Sequence, residues 1–142
     1  MAEAIVYYDP GADITCQHTA GAPGGRCVGV PAGRNPGGPS GISDTGDGLL
    51  IVTAPLAAGA VFGVTSHDVA AGGRVNVIRA PKVVAIEASA AISIGALVAT
   101  GTDGRVATAA TGNTVVGRAL TVGAAGAFCA VDMGDRGPSL AP

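Results

Sequence analysis

The stretch Val61-Phe-Gly-Val-Thr-Ser-His-Asp-Val-Ala-Ala-Gly-Gly-Arg-Val-Asn-Val77 predicts a strand, an Ala-Ala-Gly turn and a second strand. A later stretch aligns with it without gaps and has the same order, Val115-Val-Gly-Arg-Ala-Leu-Thr-Val-Gly-Ala-Ala-Gly-Ala-Phe-Cys-Ala-Val131. Val favours pleated sheets, and Gly permits the backbone angles of tight turns. The pair predicts two similar β units packed in one barrel. Chance similarity in a chain rich in Ala, Gly and Val is the alternative.

Short apolar runs of the same kind continue on both sides of these stretches. Turn signals separate them, of which Asp103-Gly104 is the best hairpin signal. Short strands at regular spacing are typical of a barrel or sandwich. We predict an all-β fold, a small β-barrel or sandwich of short strands, with an extended N-terminal arm and at most one short helix, at 88–93. The predicted strands span 4–8, 14–18, 27–30, 49–54, 60–65, 74–79, 82–87, 97–100, 106–107, 115–120 and 127–133.

Four regions follow from this pattern. Residues 1–20 are predicted to form an N-terminal arm, and residues 135–142 a C-terminal tail. Between them, residues 21–48 are predicted to form a Gly/Pro-rich loop region with one short strand, and residues 49–134 the β-barrel body. The stretch 31–41 holds so many Gly and Pro residues that neither a strand nor a helix is expected there.

Composition suggests that association stabilises the protein. Apolar residues make up 48% of the 142 residues, but aromatic residues only 3%. A core of Ala and Val buries little area per residue, and burial contributes roughly 25 cal/mol per Å². We therefore expect an isolated subunit to be marginally stable and to gain stability by binding neighbours.

Charge and apolar run length argue against two classes of partner. The formal net charge is −2, without the basic patch that nucleic-acid binding needs. No run reaches the ~18 apolar residues of a membrane span, and no signal peptide is evident. We expect neither a nucleic acid nor a membrane as partner.

The residues best suited to catalysis or metal binding are Cys16, His18 and Cys27. Cys16 and His18 alternate along a predicted strand and so share a face. With Cys27 they could supply three ligands, but zinc normally takes four. A small metal-binding protein that uses these residues is therefore one alternative. We expect instead reduced, buried thiols, no catalytic, metal or cofactor site, and no enzymatic activity.

Three motifs resemble the phage capsid cement proteins. The run 59–77 resembles the family's Gly-Val, acidic residue, Ala-Ala-Gly, Val-x-Val module. The segments Gly95-Ala-Leu-Val98, Asp103-Gly-Arg-Val106 and 110–120 together resemble its closing module, and Asp13-Ile-Thr15 its opening strand. The resemblance covers residues 49–134 well and the earlier residues in part.

The resemblance implies a structural virion protein, made in the host cytoplasm and located on the outer capsid surface. It would bind the assembled shell and stabilise it by bridging neighbouring subunits of the major capsid protein. It would also self-associate, as a homotrimer or a dimer. Another phage structural β module, in a tail, a fibre or a host-binding surface, is the alternative.

The N-terminal arm is the predicted capsid contact. Its candidate residues are Ile5, Val6, Tyr7 and Tyr8, because an extended segment can add to a sheet edge and Tyr is enriched at binding hot spots. In the alternative arrangement, Tyr7 and Tyr8 cover the core of their own subunit.

Overall fold

The computed structural model describes residues 13–30 and 50–135, and these form ten strands. The predicted arm strand at 4–8 lies outside the described residues. The strands are β1 Ile14–His18, β2 Cys27–Val28, β3 Leu50–Val52, β4 Gly63–Thr65, β5 Arg74–Ile78, β6 Val83–Glu87, β7 Leu97–Thr100, β8 Val106–Thr108, β9 Gly117–Ala119 and β10 Phe128–Asp132.

None of the described residues forms a helix, so the short helix allowed at 88–93 does not form. Ala88 and Ile92 instead make isolated β-bridges, to Val106 and Gly123. Pairing with distant segments outweighs the helix propensity of the alanines here. None of the described segments is a helix that could span a membrane.

The strands form two five-stranded sheets in an all-β, sandwich-like fold. Sheet 1 has the order β2-β4-β5-β1-β3, and sheet 2 the order β6-β10-β9-β7-β8. The prediction of an all-β barrel or sandwich is confirmed, and the fold takes the sandwich form because neither sheet closes into a barrel. The edge strands β3 and β8 have three residues each, and only single bridges, Gly29 to Thr53 and Ala88 to Val106, link the two edges of a sheet.

The repeat predicted from 61–77 and 115–131 is present in the strand register. Val64 pairs with Ile78, and Arg118 pairs with Asp132, so both partners shift by 54 positions. The two hairpins are therefore the same structural unit. The predicted similarity of these stretches is confirmed, although they lie in two sheets and not in one barrel.

The equivalence extends to whole sheets. Ile14 pairs with Val77, and Val84 pairs with Val131, which relates β1 to β6 by an offset of 70. Cys27 pairs with Val64, and Leu97 pairs with Arg118, the equivalent of Val64. Cys27 and Leu97 are therefore equivalent, and β2 is related to β7 by the same offset of 70. We call residues 14–30 and 50–78 repeat 1, and residues 84–132 repeat 2. The offset drops from 70 to 54 between the second and third strands, where repeat 1 contains the Gly/Pro-rich stretch.

Each repeat buries an equivalent set of small apolar side chains. The cluster in repeat 1 contains Cys16, Val28, Val52, Val75 and Val77. Their equivalents in repeat 2, which all belong to its cluster, are Ile86, Val98, Val106, Cys129 and Val131. No Phe or Tyr side chain is fully buried among the described residues, as the composition indicated.

The tight turn between β7 and β8 is confirmed as a hairpin and packs against repeat 1. Gly104 has a φ of +83°. Its carbonyl accepts a hydrogen bond of 2.8 Å from the backbone N–H of Cys27. A Cβ at Gly104 would collide with the Cys27 backbone. Glycine is therefore required there both by the turn and by the contact between repeats.

Candidate interaction surface

The three residues of the metal alternative are not brought together. Cys16 and His18 are buried in repeat 1, whereas Cys27 packs with the core cluster of repeat 2. Among the described residues, no group of three or more His, Cys, Asp or Glu side chains is placed to hold a metal ion. Burial raises the pKa of Cys16 to about 11 and that of Cys27 to about 12, so both thiols are protonated at neutral pH.

His18 has a structural contact inside repeat 1. Its Nδ1 accepts a hydrogen bond of 2.9 Å from the backbone N–H of Gly21. The proton of the neutral ring is therefore on Nε2, which is buried and has no hydrogen-bond partner. Burial lowers the pKa of His18. The neutral His18 side chain therefore stabilises the turn that follows β1.

The predicted arm contacts Ile5, Val6, Tyr7 and Tyr8 lie outside the described residues. The carboxylate of Asp13, just before β1, accepts hydrogen bonds from Lys82 Nζ at 2.6 Å and Asn76 Nδ2 at 3.0 Å. The Lys82 bond, followed by the Asn76 bond, lowers the pKa of Asp13. Asp13 is therefore held beside the start of β6.

The two repeats meet along the segment 25–27 of repeat 1. The N–H of Glu87 donates to the carbonyl of Gly25 at 3.0 Å, which joins the outer edge of β6 to repeat 1. Arg26 Nη2 lies 2.7 Å from Glu87 Oε2, and Arg26 Nη1 donates to the Asp103 carbonyl at 3.2 Å. Hydrogen bonds and an ion pair thus fasten the two repeats together.

An open groove follows this junction. Repeat 1 contributes Gly24, Ser66 and Asp68 to its lining, and repeat 2 contributes Ala85 and Phe128. The Phe128 ring lies against Gly25, where a Cβ would collide with it. This surface of repeat 1 is therefore partly covered by repeat 2.

The equivalent surface of repeat 2 is exposed and more apolar. By the offsets of 70 and 54, Gly24, Ser66 and Asp68 correspond to the three residues Ile94, Leu120 and Val122. Ile94 is 66% exposed, Leu120 46% and Val122 66%. We call these three residues the apolar patch.

The patch residues lie together because two segments run side by side. Ile92 forms a bridge with Gly123, and the N–H of Gly95 donates to the Ala119 carbonyl at 2.8 Å. The segment 92–95 therefore lies antiparallel to 119–123. Sequence reasoning missed the patch, although the ungapped alignment already places Leu120 and Val122 opposite Ser66 and Asp68.

Comparison with known proteins identifies the family. A family model described as phage cement protein matches residues 8–133. The chain belongs to the phage cement protein family. The resemblance of residues 59–77 and 95–120 to the cement proteins is thereby confirmed, and this cement-family chain is a phage structural protein.

The fold is shared with a solved structure of a phage protein. The base of the head fibre protein gp8.5 from bacteriophage phi29 matches this cement-family chain with a TM-score of 0.64 and 17% identity. The match covers 87% of this chain and 96% of that chain, which shows a shared fold. No curated protein matches the sequence.

Proposed function

We propose that this protein binds the outside of an assembled phage capsid and stabilises the shell by bridging neighbouring major capsid protein subunits. It acts without catalysis, metal or cofactor, and it is present on the capsid as a homotrimer or a dimer. Membership of the phage cement protein family over residues 8–133 is the observation that carries the proposal.

The chemistry of the described residues supports a structural role. The side chains that could form a nucleophile or metal site, Cys16, His18 and Cys27, are buried. Their burial lowers the pKa of His18 and raises those of the two thiols, so each is held in its neutral form. Exposed apolar side chains and surface ion pairs suit recognition of a protein surface.

Stabilisation follows from mass action. A ligand that binds the assembled shell but not its free parts stabilises each site by RT ln(1 + [L]/Kd). A protein that touches two neighbouring subunits adds this free energy to their association. Because the contact repeats over a symmetric lattice, a modest affinity at each site gives a large total effect.

The N-terminal arm is the first proposed contact. Ile5, Val6, Tyr7 and Tyr8 would anchor it, by adding a strand or by burying the tyrosine rings on the capsid protein. Deletion of residues 1–10 tests this part. Reduced binding to capsids that lack the protein is expected, and unchanged affinity removes the arm from the mechanism.

The main experiment compares capsids with and without the protein. Purified full-length protein is titrated onto undecorated shells, and bound protein is measured by co-sedimentation. We expect saturable binding at a fixed ratio to the major capsid protein and a higher shell disruption temperature. Absence of binding to intact shells contradicts the proposal.

A fibre base is the second candidate function. The observation that favours it is the shared fold with the head fibre base of phage phi29. Image reconstruction of particles separates the two, because a cement protein gives density close to the shell, whereas a fibre base carries a projecting continuation.

A further inference from the structure

We propose that the apolar patch of Ile94, Leu120 and Val122 is a capsid-binding surface that packs against apolar side chains of the major capsid protein. The inference rests on the proposed function and adds a second contact to the arm. No charged side chain belongs to the patch, so the contact is apolar in character.

In repeat 1, the equivalent surface is contacted by the other repeat along one side only. There the Phe128 ring of repeat 2 lies against Gly25, next to Gly24, whereas Ser66 and Asp68 line the open groove and stay exposed. There the side chains are small or polar. In repeat 2 the same three positions carry aliphatic side chains and lack a covering element among the described residues, so an external partner would bury the larger apolar area.

A second copy cannot repeat the contact between repeats. That contact uses the outer edge of β6, where the Glu87 N–H reaches the Gly25 carbonyl. The equivalent residue in repeat 1 is Gln17, and its edge of β1 is already paired with β3 through Ile51. In repeat 2, the carbonyl equivalent to that of Gly25 belongs to Gly95 and accepts a hydrogen bond from Arg118 Nη1 at 2.8 Å.

The size of the patch also favours a lattice over a dimer. Three aliphatic side chains expose a few hundred Å², whereas a stable dimer buries about 800 Å² per partner. A contact of this size is weak alone but effective when the protein binds an ordered shell through several contacts at once. The major capsid protein is therefore the occupant that the area supports.

The patch and Asp13 lie at different ends of sheet 2. Leu120 lies beside Ala130 and the patch continues toward the start of β10, whereas Asp13 contacts Lys82, just before β6, beside the end of β10. Two contacts at separate places would allow one molecule to touch two capsid subunits. The patch would thus supply the second half of a bridge.

The decisive variant carries repeat 1 chemistry at the patch, with Ile94→Ser, Leu120→Ser and Val122→Asp. Ser and Asp occupy two of these positions in repeat 1, so the backbone accepts them. The matched control is Leu56→Ser, which removes an aliphatic side chain that is 81% exposed elsewhere. Full-length proteins are titrated onto undecorated shells, after equal melting temperatures show that both fold.

We expect the Kd of the patch variant to rise at least about tenfold, the effect of losing one buried aliphatic side chain, and that of Leu56→Ser to change less than about twofold. Wild-type hydrogen exchange gives a second readout independent of variant folding, with slower exchange at 93–95 and 120–123 when the protein is bound to the shell.

If the wild type binds and the patch variant binds equally well, this inference alone is overturned. Failure of the wild type to bind overturns the proposed function as well. Loss of self-association in the patch variant, measured by sedimentation, would assign the patch to a second copy and also overturn it.

Discussion

Arg26 of repeat 1 and Glu87 of repeat 2 form an ion pair of 2.7 Å in which both side chains are less than one-fifth exposed. The same guanidinium also donates to the Asp103 carbonyl, so one side chain contacts both β6 and the β7–β8 turn. The pair lies where the two repeats meet. It therefore reports on how firmly the two halves of the protein are joined.

Glu87→Gln should destabilise the protein by about 1–2 kcal/mol, because the partly buried Arg26 loses its charged partner. The control is Asp135→Asn, which disrupts the more exposed pair with Arg118 and should cost less than about 0.5 kcal/mol. Urea unfolding of both variants measures the difference. Equal losses would show that the pair between the repeats contributes no more than a surface contact.

Gly104→Ala should cost about 3 kcal/mol or more, because a Cβ there collides with the Cys27 backbone as well as straining a positive φ. Gly112→Ala is the matched control. Gly112 has a φ of +86° in the same repeat, but open space where its Cβ would point. It should cost only about 1–2 kcal/mol, the conformational part. Indistinguishable melting temperatures for the two variants would contradict the close contact between repeats.

Stability should fall as the pH drops below about 6.5, the pKa of an unperturbed histidine. Burial lowers the pKa of His18 in the folded state, so the unfolded chain binds the proton first. Stability is full above the unfolded pKa and decreases toward the lower folded pKa. Urea unfolding between pH 8 and pH 5 measures this effect.

The His18→Ala variant provides the control for that pH dependence, since repeat 2 carries Ala88 at the equivalent position. The variant should show a flatter profile over the same range. An unchanged slope would assign the pH dependence to other groups. Asp13 and Asp103 titrate at lower pH than a histidine, because their pKa values are lowered further in the folded protein.

Native Cys16, Cys27 and Cys129 should react slowly with a thiol reagent at pH 8. All three are buried free thiols, and burial raises the pKa of Cys16 to about 11 and that of Cys27 to about 12. Absorbance with a chromogenic disulfide should show three thiols only after denaturant is added. Rapid reaction in the native protein would mean that the cores open readily.

Local signals were sufficient for most strands. Alternation and β-branched residues predicted β1 and β7 with their observed bounds, and the Asp-Gly pair predicted the β7–β8 turn. The ends of β4 and β9 were less predictable, because the flanking residues have similar propensity and only pairing decides where a strand begins. No helix forms at 88–93 for the same reason, since Ala88 and Ile92 make bridges to partners far away in sequence.

Long-range relationships were visible only in part. The gap-free similarity of 61–77 and 115–131 predicted equivalent hairpins, but the similarity of β1 to β6 is too weak in sequence to notice. Because the offset of 70 between β1 and β6 was not visible, the sequence predicted an arm and a loop region for the first strands. In the structure, Ile14–His18 pairs with β5 and β3 in sheet 1. The patch was missed because exposure cannot be read from residue type: Leu120 resembles a core residue in a chain whose cores are made of Val and Ile.

The unequal spacing of the two repeats has an engineering consequence. Repeat 2 joins its second and third strands through the tight turn at 101–103, where repeat 1 has the stretch 31–49. The five-stranded unit can therefore be completed by a minimal hairpin, so the longer connection is not demanded by the architecture. Residues 31–49 are consequently the place to shorten the protein by design or to insert a foreign epitope for display.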